Sequence, residues 1–482
     1  MAVNGDGPAR LTRRALLQGF AASAFACAHA HRPKTMLCNL VMDHRPLTAF
    51  DNIHSETPDV VWPHSADELA EFLRGLPPGR RVTFRSGGKS IDEQALNRDV
   101  VVMLTDPCFR RVGEVTMEPD GVAVITVGAS ATWESILART AEAGFVALAM
   151  PSAKDITAGG GLSSHSISRF SPVWLKEGNH VRRLTVMLLD GTTPVLRRDA
   201  PDGSDERELF LGVVAGFGFL GAILDVTYEL LRVAPPGAQL QVATRTSVVD
   251  VRGQWTTLLD ILKRRAEAQR AALPPVKNLG PWLPGGARAG AALPEPTPTL
   301  YASVWWSADG LQQRAMLAES RYVYDRDLAP MILYEPDNEL MGVVEDVMSV
   351  NPWADRFVQD VATDLFSSGA VAVTPVAGFT FFQDANAFVR ERELGDPRIV
   401  VMQQTFVLRD VGCAARFLAR LTEFVRGDHE QPTLADLMWI PPDEHRFRLS
   451  SHALCGGFAL TLTYLRPSGR EVARLRADLK QL

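Results

Sequence analysis

Two hydrophobic periods alternate along the chain, and their order predicts its elements. Val60-Val61-Trp62 is a short apolar run that predicts a strand. The next ten residues, ADELAEFLRG over 66–75, carry their apolar positions at helical spacing, with Ser65 as N-cap and Glu68 completing a capping box. Arg81–Phe84 and Val100–Leu104 predict two further strands. Val122–Val127 predicts a strand and 132–144 (TWESILARTAEAG) a helix. Leu184–Leu189 and Thr193–Leu196 read as the arms of a hairpin that turns at Asp190-Gly191. A helix start near Glu206–Leu209 leads through Val213–Gly221 to a last strand, Ala222–Leu231. Both stretches read as βαβ-rich units, and this part closes at Pro235-Pro236-Gly237.

Beyond about 238 the pattern changes. Leu240–Thr246 predicts a strand, 250–268 a helix, Leu300–Trp306 a strand with alternate apolar residues, and Arg321–Tyr324 another strand. The Pro- and Gly-rich stretch 273–298 reads as a long loop with the length of a lid. Ile399–Leu408, Ala435–Ile440 and Gly457–Leu465 predict strands, with helices at Gly412–Val425 and 469–482 and helical material at 337–366. Strand, helix, strand, strand thus occurs twice, the pattern of an α+β domain built on an antiparallel sheet.

Length changes this picture little: 482 residues suit two folded domains, here 56–235 and 236–482, after a lead-in at 31–55. A 46% hydrophobic, 22% charged composition is that of a globular protein, and a net charge of −6 argues against nucleic acid as the main partner. The first thirty residues differ. Arg13-Arg14 precede an Ala-rich apolar run reaching Ala28, and Ala28-His29-Ala30 offers small residues at the spacing a signal peptidase uses. This resembles a twin-arginine export signal, and the expected destination is the periplasm or the exterior. The run is too short to span a membrane. Of the five cysteines, Cys27 falls inside that signal, and Cys38, Cys108, Cys413 and Cys455 show neither CxxC nor CxxH spacing, so no metal site is expected.

Candidate chemistry concentrates in glycine-rich segments. Residues 151–184, PSAKDITAGGGLSSHSISRFSPVWLKEGNHVRRL, pass from a proline turn through three glycines and several hydroxyls to Gly178-Asn179-His180. Glycine where the backbone must approach something closely, followed by Ser and Thr hydroxyls, suits a phosphate-bearing cofactor held by main-chain N–H groups. RSGGKS at 85–90 follows a strand but lacks the GxxxxGK spacing of a Walker loop; its N–H groups with Arg85 or Lys89 suit a diphosphate. Gly216-Phe217-Gly218-Phe219-Leu220-Gly221 is formally GxGxxG. The residues after Gly221 alternate as a strand, so the helix that a dinucleotide fingerprint needs is absent, and a turn packed on another backbone or a flavin fits better.

Taken in order, strand–RSGGKS, PSAKDITAGGGLSS, GNHVR before a DG hairpin, and GFGFLGAI before a strand resemble the FAD-binding domain of the PCMH-type (vanillyl-alcohol-oxidase superfamily) flavoproteins over about 56–232. The resemblance implies an α+β fold in which two subdomains hold FAD and an antiparallel cap domain faces the flavin ring. SGGKSIDEQALN (86–97), GNHVRRL (178–184), the run 208–223, Val304–Ser307 and Gln403–Arg409 further resemble the branch of the family that oxidises decaprenylphosphoryl-ribose at its 2′ position.

FAD contacts are expected from Arg85, Ser86, Gly87, Gly88, Lys89 and Ser90; from Pro151, Ser152, Ala153, Thr157, Gly159, Gly160, Ser163, Ser164, Ile167 and Ser168; and from His180, Gly218, Gly221 and Ile223. Trp305 and Gln403 are expected on the substrate face. Lys89 stands where many members carry the histidine that attaches FAD, so the cofactor is expected to be non-covalent. The branch's flavin-proximal histidine motif falls at Ile167-Ser168, an active-site lysine falls on Trp439, and the family's YTAKD-type segment with another lysine, whose place follows Leu482, is expected to be missing. By residue type, His165 and Asp436 are the candidate catalytic groups, with His180 and His445 behind them.

The expected activity is oxidation of a secondary alcohol on a sugar, lactone or lipid-linked glycoside, with oxygen, a quinone or another acceptor taking the electrons. The alternatives are an aldonolactone or alditol oxidase and a flavin-binding or partner protein that has lost catalysis.

Overall fold

The computed structural model describes residues 40, 42–273, 299–306, 313–325, 371–381, 400–426, 432, 434–466 and 469–481. The expected export signal, the loop from 274 to 298 and the expected helical material at 337–366 lie outside them. The described part is mixed α+β and is organised by three large sheets.

In chain order, the first elements are β1 (Asp43–His44), β2 (Leu47–Thr48), β3 (Ser55–Glu56), β4 (Asp59–Val61), α1 (Ala66–Arg74), β5 (Val82–Arg85) and β6 (Val100–Met103). They form a four-stranded sheet ordered β1-β4-β6-β5, parallel within β4-β6-β5. α1 is the crossover. Its Leu69, Ala70 and Leu73 pack on Val61, Val100 and Val102, while Val60 and Val101 point the other way onto Leu47, Ala49 and Leu96. Burial on both faces is why these strands are unbroken valine runs. The predicted cap is present: the Glu68 N–H donates to Ser65 Oγ at 3.1 Å, while Glu68 Oε2 accepts from the N–H of His64 at 2.8 Å.

The next elements are β7 (Val112–Met117), β8 (Ala123–Gly128), α2 (Trp133–Glu142), β9 (Phe145–Ala147), α3 (Ala158–Ser164), α4 (Ser171–Trp174), β10 (Val181–Met187), β11 (Val195–Arg197), α5 (Asp205–Val213) and β12 (Ala222–Arg232). Here the expected βαβ character is corrected, because every pairing in this six-stranded sheet is antiparallel. β8, α2 and β9 do follow one another, but β8 and β9 never pair. Both lie along the eleven-residue β12, β8 against Asp225–Leu230 and β9 against Leu230–Arg232. One long strand therefore takes the place of a parallel neighbour.

The last sheet has seven strands: β13 (Leu240–Asp250), β14 (Thr299–Trp306), β15 (Gln313–Tyr324), β16 (Val371–Pro375), β17 (Val400–Leu408), β18 (Leu434–Ile440) and β19 (Gly457–Arg466), ordered β16-β13-β15-β14-β18-β19-β17 and antiparallel throughout. Its helices are α6 (Trp255–Ala271), α7 (Val376–Thr380), α8 (Val411–Arg426) and α9 (Gly469–Leu479). Register divides the sheet into two unlike faces. Leu300, Ala302, Val304, Trp306, Leu437, Leu460 and Leu462 point toward α6, α8 and α9 and form one apolar core with Leu258, Leu262, Leu418 and Leu421. Each buried leucine of that kind contributes about 1.5–3 kcal/mol. The opposite face carries Ser303, Asp436, Thr461, Thr405, Thr463 and Gln403, which stand opposite one another across the strands.

A buried polar network ties this sheet to the preceding one. Asp443, in the loop between β18 and β19, pairs with Lys176 Nζ at 3.2 Å and accepts from Asn179 Nδ2 at 3.0 Å and Ser450 Oγ at 2.5 Å. Lys176 also donates to Ser450. A second strut joins the first sheet's loops to β17 and α9: the Val401 N–H donates to Asp51 O at 3.1 Å, and Arg476 pairs with Asp92 at 2.7 Å.

Candidate functional site

Three glycine-rich segments, far apart in sequence, wall one cleft of about 330 Å³. β5 ends at Arg85 and delivers the loop Ser86–Ser90; the turn before α3 delivers Ala153 and Thr157; α3 itself supplies Gly159, Gly160, Ser163 and Ser164; the turn before β12 supplies Gly218 and Gly221, and β12 itself Ile223. Gln403 of β17 enters from the seven-stranded sheet.

Glycine is required here for two distinct reasons. A Cβ on Gly87 would stand 2.7 Å from Asp155 O and one on Gly221 2.2 Å from Met187 O, so these glycines permit backbone to meet backbone. A Cβ on Gly160 would meet only Thr157 Oγ1 at 3.0 Å, and one on Gly218 only Phe84 at 3.8 Å and Gly221 O at 4.0 Å. These two face the cleft, and leave room for something that must come close to the main chain.

The glycine run is helical in spite of its composition. Neighbouring strands hold it: Ala158 N–H donates to Ala131 O at 2.9 Å and Gly159 N–H to Ala129 O at 2.7 Å, while Gly161 N–H closes the first turn on Thr157 O at 2.8 Å.

The electrostatics favour an anion. Arg85 donates to Thr48 O at 2.9 Å, and burial alone lowers its pKa; among the described residues no carboxylate pairs with it. Lys89 lies 3.4 Å from Asp155 Oδ2 across the cleft and 5.1 Å over the Phe50 ring. Two cations, a set of hydroxyls and a glycine-faced wall fit the diphosphate and ribityl chain of a dinucleotide.

Of the residues expected to hold the cofactor, Pro151, Ser152, Ile167, Ser168 and His180 do not wall the cleft. Pro151 and Ser152 are buried in the turn that leads to it. Ile167 packs instead on Tyr301, Met438 and Ile440 of the seven-stranded sheet. Ser168 receives the Phe170 N–H at 3.4 Å and helps to start α4. His180 is buried with its ring on Trp174 O, and burial lowers its pKa.

His165 is also placed elsewhere. It ends α3 in a left-handed conformation (φ 50°), and both ring nitrogens are engaged. The Gly178 N–H donates to Nδ1 at 3.2 Å, which leaves Nε2–H to donate to Asp443 at 3.2 Å. Burial lowers its pKa to about 4.

Asp436 is buried on the polar sheet face and accepts from Ser303 Oγ at 2.9 Å; burial raises its pKa. Trp305 lies on β14, its side chain outside the described residues. Trp439, expected at a lysine position, points the other way: it packs against Phe458 at 4.9 Å in the helix-covered core.

Residue reasoning missed Phe50, Ser130, Asp155, Ser166 and Phe217, all of which wall the cleft. Ser130 receives Ser86 Oγ–H at 2.8 Å and itself donates to Leu104 O, which pins the loop after β5. Asp155 lies inside the PSAKDIT run and meets Lys89 only in the fold, at 3.4 Å. Asp51, His54 and Asp92 also place their donor atoms within 4.8 Å of one another. Asp51 is already satisfied by the N–H groups of Ile53 and Asp92, and Asp92 by Arg476.

A cleft of this build suits FAD, and residues 58–197 match the FAD binding domain family. Over 159 residues the chain is 27% identical to the decaprenylphosphoryl-beta-D-ribose oxidase of Mycolicibacterium smegmatis. That alignment covers 32% of this chain and 31% of the mycobacterial protein, so the chain spans about a third of the relative it matches.

Proposed function

We propose that the protein is an exported FAD-dependent oxidoreductase that oxidises a secondary alcohol of a sugar, lactone or lipid-linked glycoside, with FAD held non-covalently. The observation that carries the reading is the meeting of two surfaces in one cleft. One is the glycine wall with Arg85 and Lys89. The other is the polar face of the seven-stranded sheet, which reaches the cleft through Gln403.

On this reading the four- and six-stranded sheets are the two halves of the flavin domain, and the seven-stranded sheet is the cap. Bound FAD supplies a two-electron acceptor at its N5 atom. Arg85, Lys89 and the Ser86–Ser90 N–H groups bind the diphosphate, and the ion pair of Lys89 with Asp155 keeps the loop in place without a covalent tether. Gln403, Ser303 and the threonine pair Thr405–Thr461, 3.0 Å apart, offer donors and acceptors for a polyhydroxylated substrate. Asp436 is the candidate acceptor for the hydroxyl proton, because burial holds its carboxyl above the usual range while Ser303 orients it. The name of the mycobacterial relative supports a lipid-linked sugar as the substrate class. Among the described residues no helix is long and apolar enough to cross a membrane. Oxygen, a quinone or another acceptor removes the electrons.

One observation favours a second reading, a flavin-binding protein without catalysis: the walls of the cleft contain no imidazole among the described residues. The visible spectrum of the purified protein, followed by anaerobic titration with sugar alcohols and glycosides, separates the readings. Flavin bands near roughly 370 and 450 nm that acid releases into solution, and that a polyol bleaches, support the oxidase. Bands that no substrate bleaches support the binding protein, and a colourless protein that takes up no FAD sinks both.

A further inference from the structure

We propose that Phe217 stacks on a planar ring of the bound dinucleotide, and that its strained backbone is retained for that contact. The inference rests on FAD occupying the cleft. Ala215, Phe217, Gly218 and Gly221 all have positive φ, at 63°, 49°, 76° and 153°. Glycine carries no penalty there, but a phenylalanine brings its Cβ against the following carbonyl; asparagine or glycine is the residue this conformation favours.

Packing does not explain the choice. Phe217 is 43% exposed and belongs to no apolar core. Its ring is not needed to hold the turn, because the backbone is clipped to α3 by itself: the Ala215 N–H donates to Leu162 O at 3.2 Å and the Phe217 N–H to Ser163 O at 3.0 Å. What remains is its position. Phe217 walls the cleft beside Gly218, on a turn fixed to the helix whose Gly160 faces the same space. A rigid aromatic ring on a cleft wall, half in solvent and held at a backbone cost, is suited to covering another flat ring. Phe219, on the same turn, is 75% exposed and does not wall the cleft, which makes it the internal control.

The purine and the isoalloxazine share this chemistry, and fragments distinguish them. Full-length apoprotein of the wild type, Phe217→Asn, Phe217→Tyr and Phe219→Ala is titrated with FAD by flavin fluorescence, then with ADP and FMN by calorimetry, and the melting temperature of each apoprotein is recorded. The proposal expects Phe217→Asn to bind FAD about tenfold more weakly while melting higher than the wild type, with Phe217→Tyr and Phe219→Ala binding as the wild type does. A loss confined to ADP assigns the contact to the purine, and one confined to FMN assigns it to the flavin. Wild-type affinity in Phe217→Asn, or a lower melting temperature in its apoprotein, overturns the proposal. Failure of the wild type itself to bind FAD removes the cleft reading and this inference together.

Discussion

Glu177→Gln tests what lies beneath the glycine helix. Glu177 is buried under α3, so close that a Cβ on Gly161 would sit 2.7 Å from its Oε2. Oε1 accepts from Tyr228, and Oε2 has no hydrogen-bond partner among the described residues. Burial pushes the carboxyl up to about 8 from an ordinary 4.5. The folded protein therefore keeps a proton that the unfolded chain releases, and stability falls as pH rises through that interval. Buried histidines act with the opposite sign. Burial lowers His165, His445 and His452 to about 4 from 6.5, so stability is lost as pH falls below 6.5. The two trends place the stability maximum near pH 6.5. Between there and pH 8 only the glutamate contributes among these four groups, at most about 2 kcal/mol. Glutamine keeps the acceptor for Tyr228 and removes the titration. Thermal unfolding from pH 5 to 9 should show an alkaline decline in the wild type that is absent from Glu177→Gln, and an acid limb that is steeper in the variant, because the glutamate no longer opposes the histidines below pH 6.5. A decline of equal size in the variant, or a flat wild-type profile between pH 6.5 and 8, refutes the reasoning.

Other changes probe separate parts. Gly160→Val should leave the fold intact, since valine costs a helix no more than glycine, yet put a side chain into the cleft and abolish FAD retention; the visible spectrum and circular dichroism check the two halves. Asp443→Ala leaves the buried Lys176 ammonium without its carboxylate and should cost about 3–5 kcal/mol in urea unfolding. Ser65→Ala removes the N-cap of α1 and should cost about 1 kcal/mol by the same measurement, without affecting flavin binding.

Local signals were legible in the sequence; pairings between distant segments were not. Ser65 with Glu68, the Asp190-Gly191 turn and the valine runs of β4 and β6 are decided by neighbours a few residues away, and all read correctly. β15 shows the opposite case. Only its end, 321–324, read as strand, because its first half contains the helix formers Ala, Met, Leu and Glu; β13 and β14, pairing on both sides, override that preference. The glycine run became a helix for the same reason, through bonds to Ala129 and Ala131 that no window around 158 reveals. In the site, RSGGKS and the 157–164 stretch were legible because backbone approach demands glycine. Ser130, Asp155 and Phe217 were not, because each acquires its place from a partner contributed by another segment.

His165 clarifies how the work is divided on the proposed reading. An imidazole one residue beyond the glycine helix looks like a base by sequence. Its nitrogens, however, serve Gly178 and Asp443, and burial keeps it neutral down to about pH 4, so it has no lone pair to offer a substrate. A proton acceptor must then come from elsewhere, and the candidate is Asp436 on the polar face of the seven-stranded sheet, the face that reaches the cleft through Gln403. Cofactor binding and proton transfer would thus reside on different sheets, and their relative placement becomes the critical quantity. The network of Lys176, Asn179, His165, Asp443 and Ser450 holds that placement together with the Val401–Asp51 and Arg476–Asp92 strut. Asp443→Asn, which keeps the shape and discards the charge, should on this reading lower substrate turnover more than it lowers FAD affinity. Equal losses in both would mean that the network supports the flavin cleft alone.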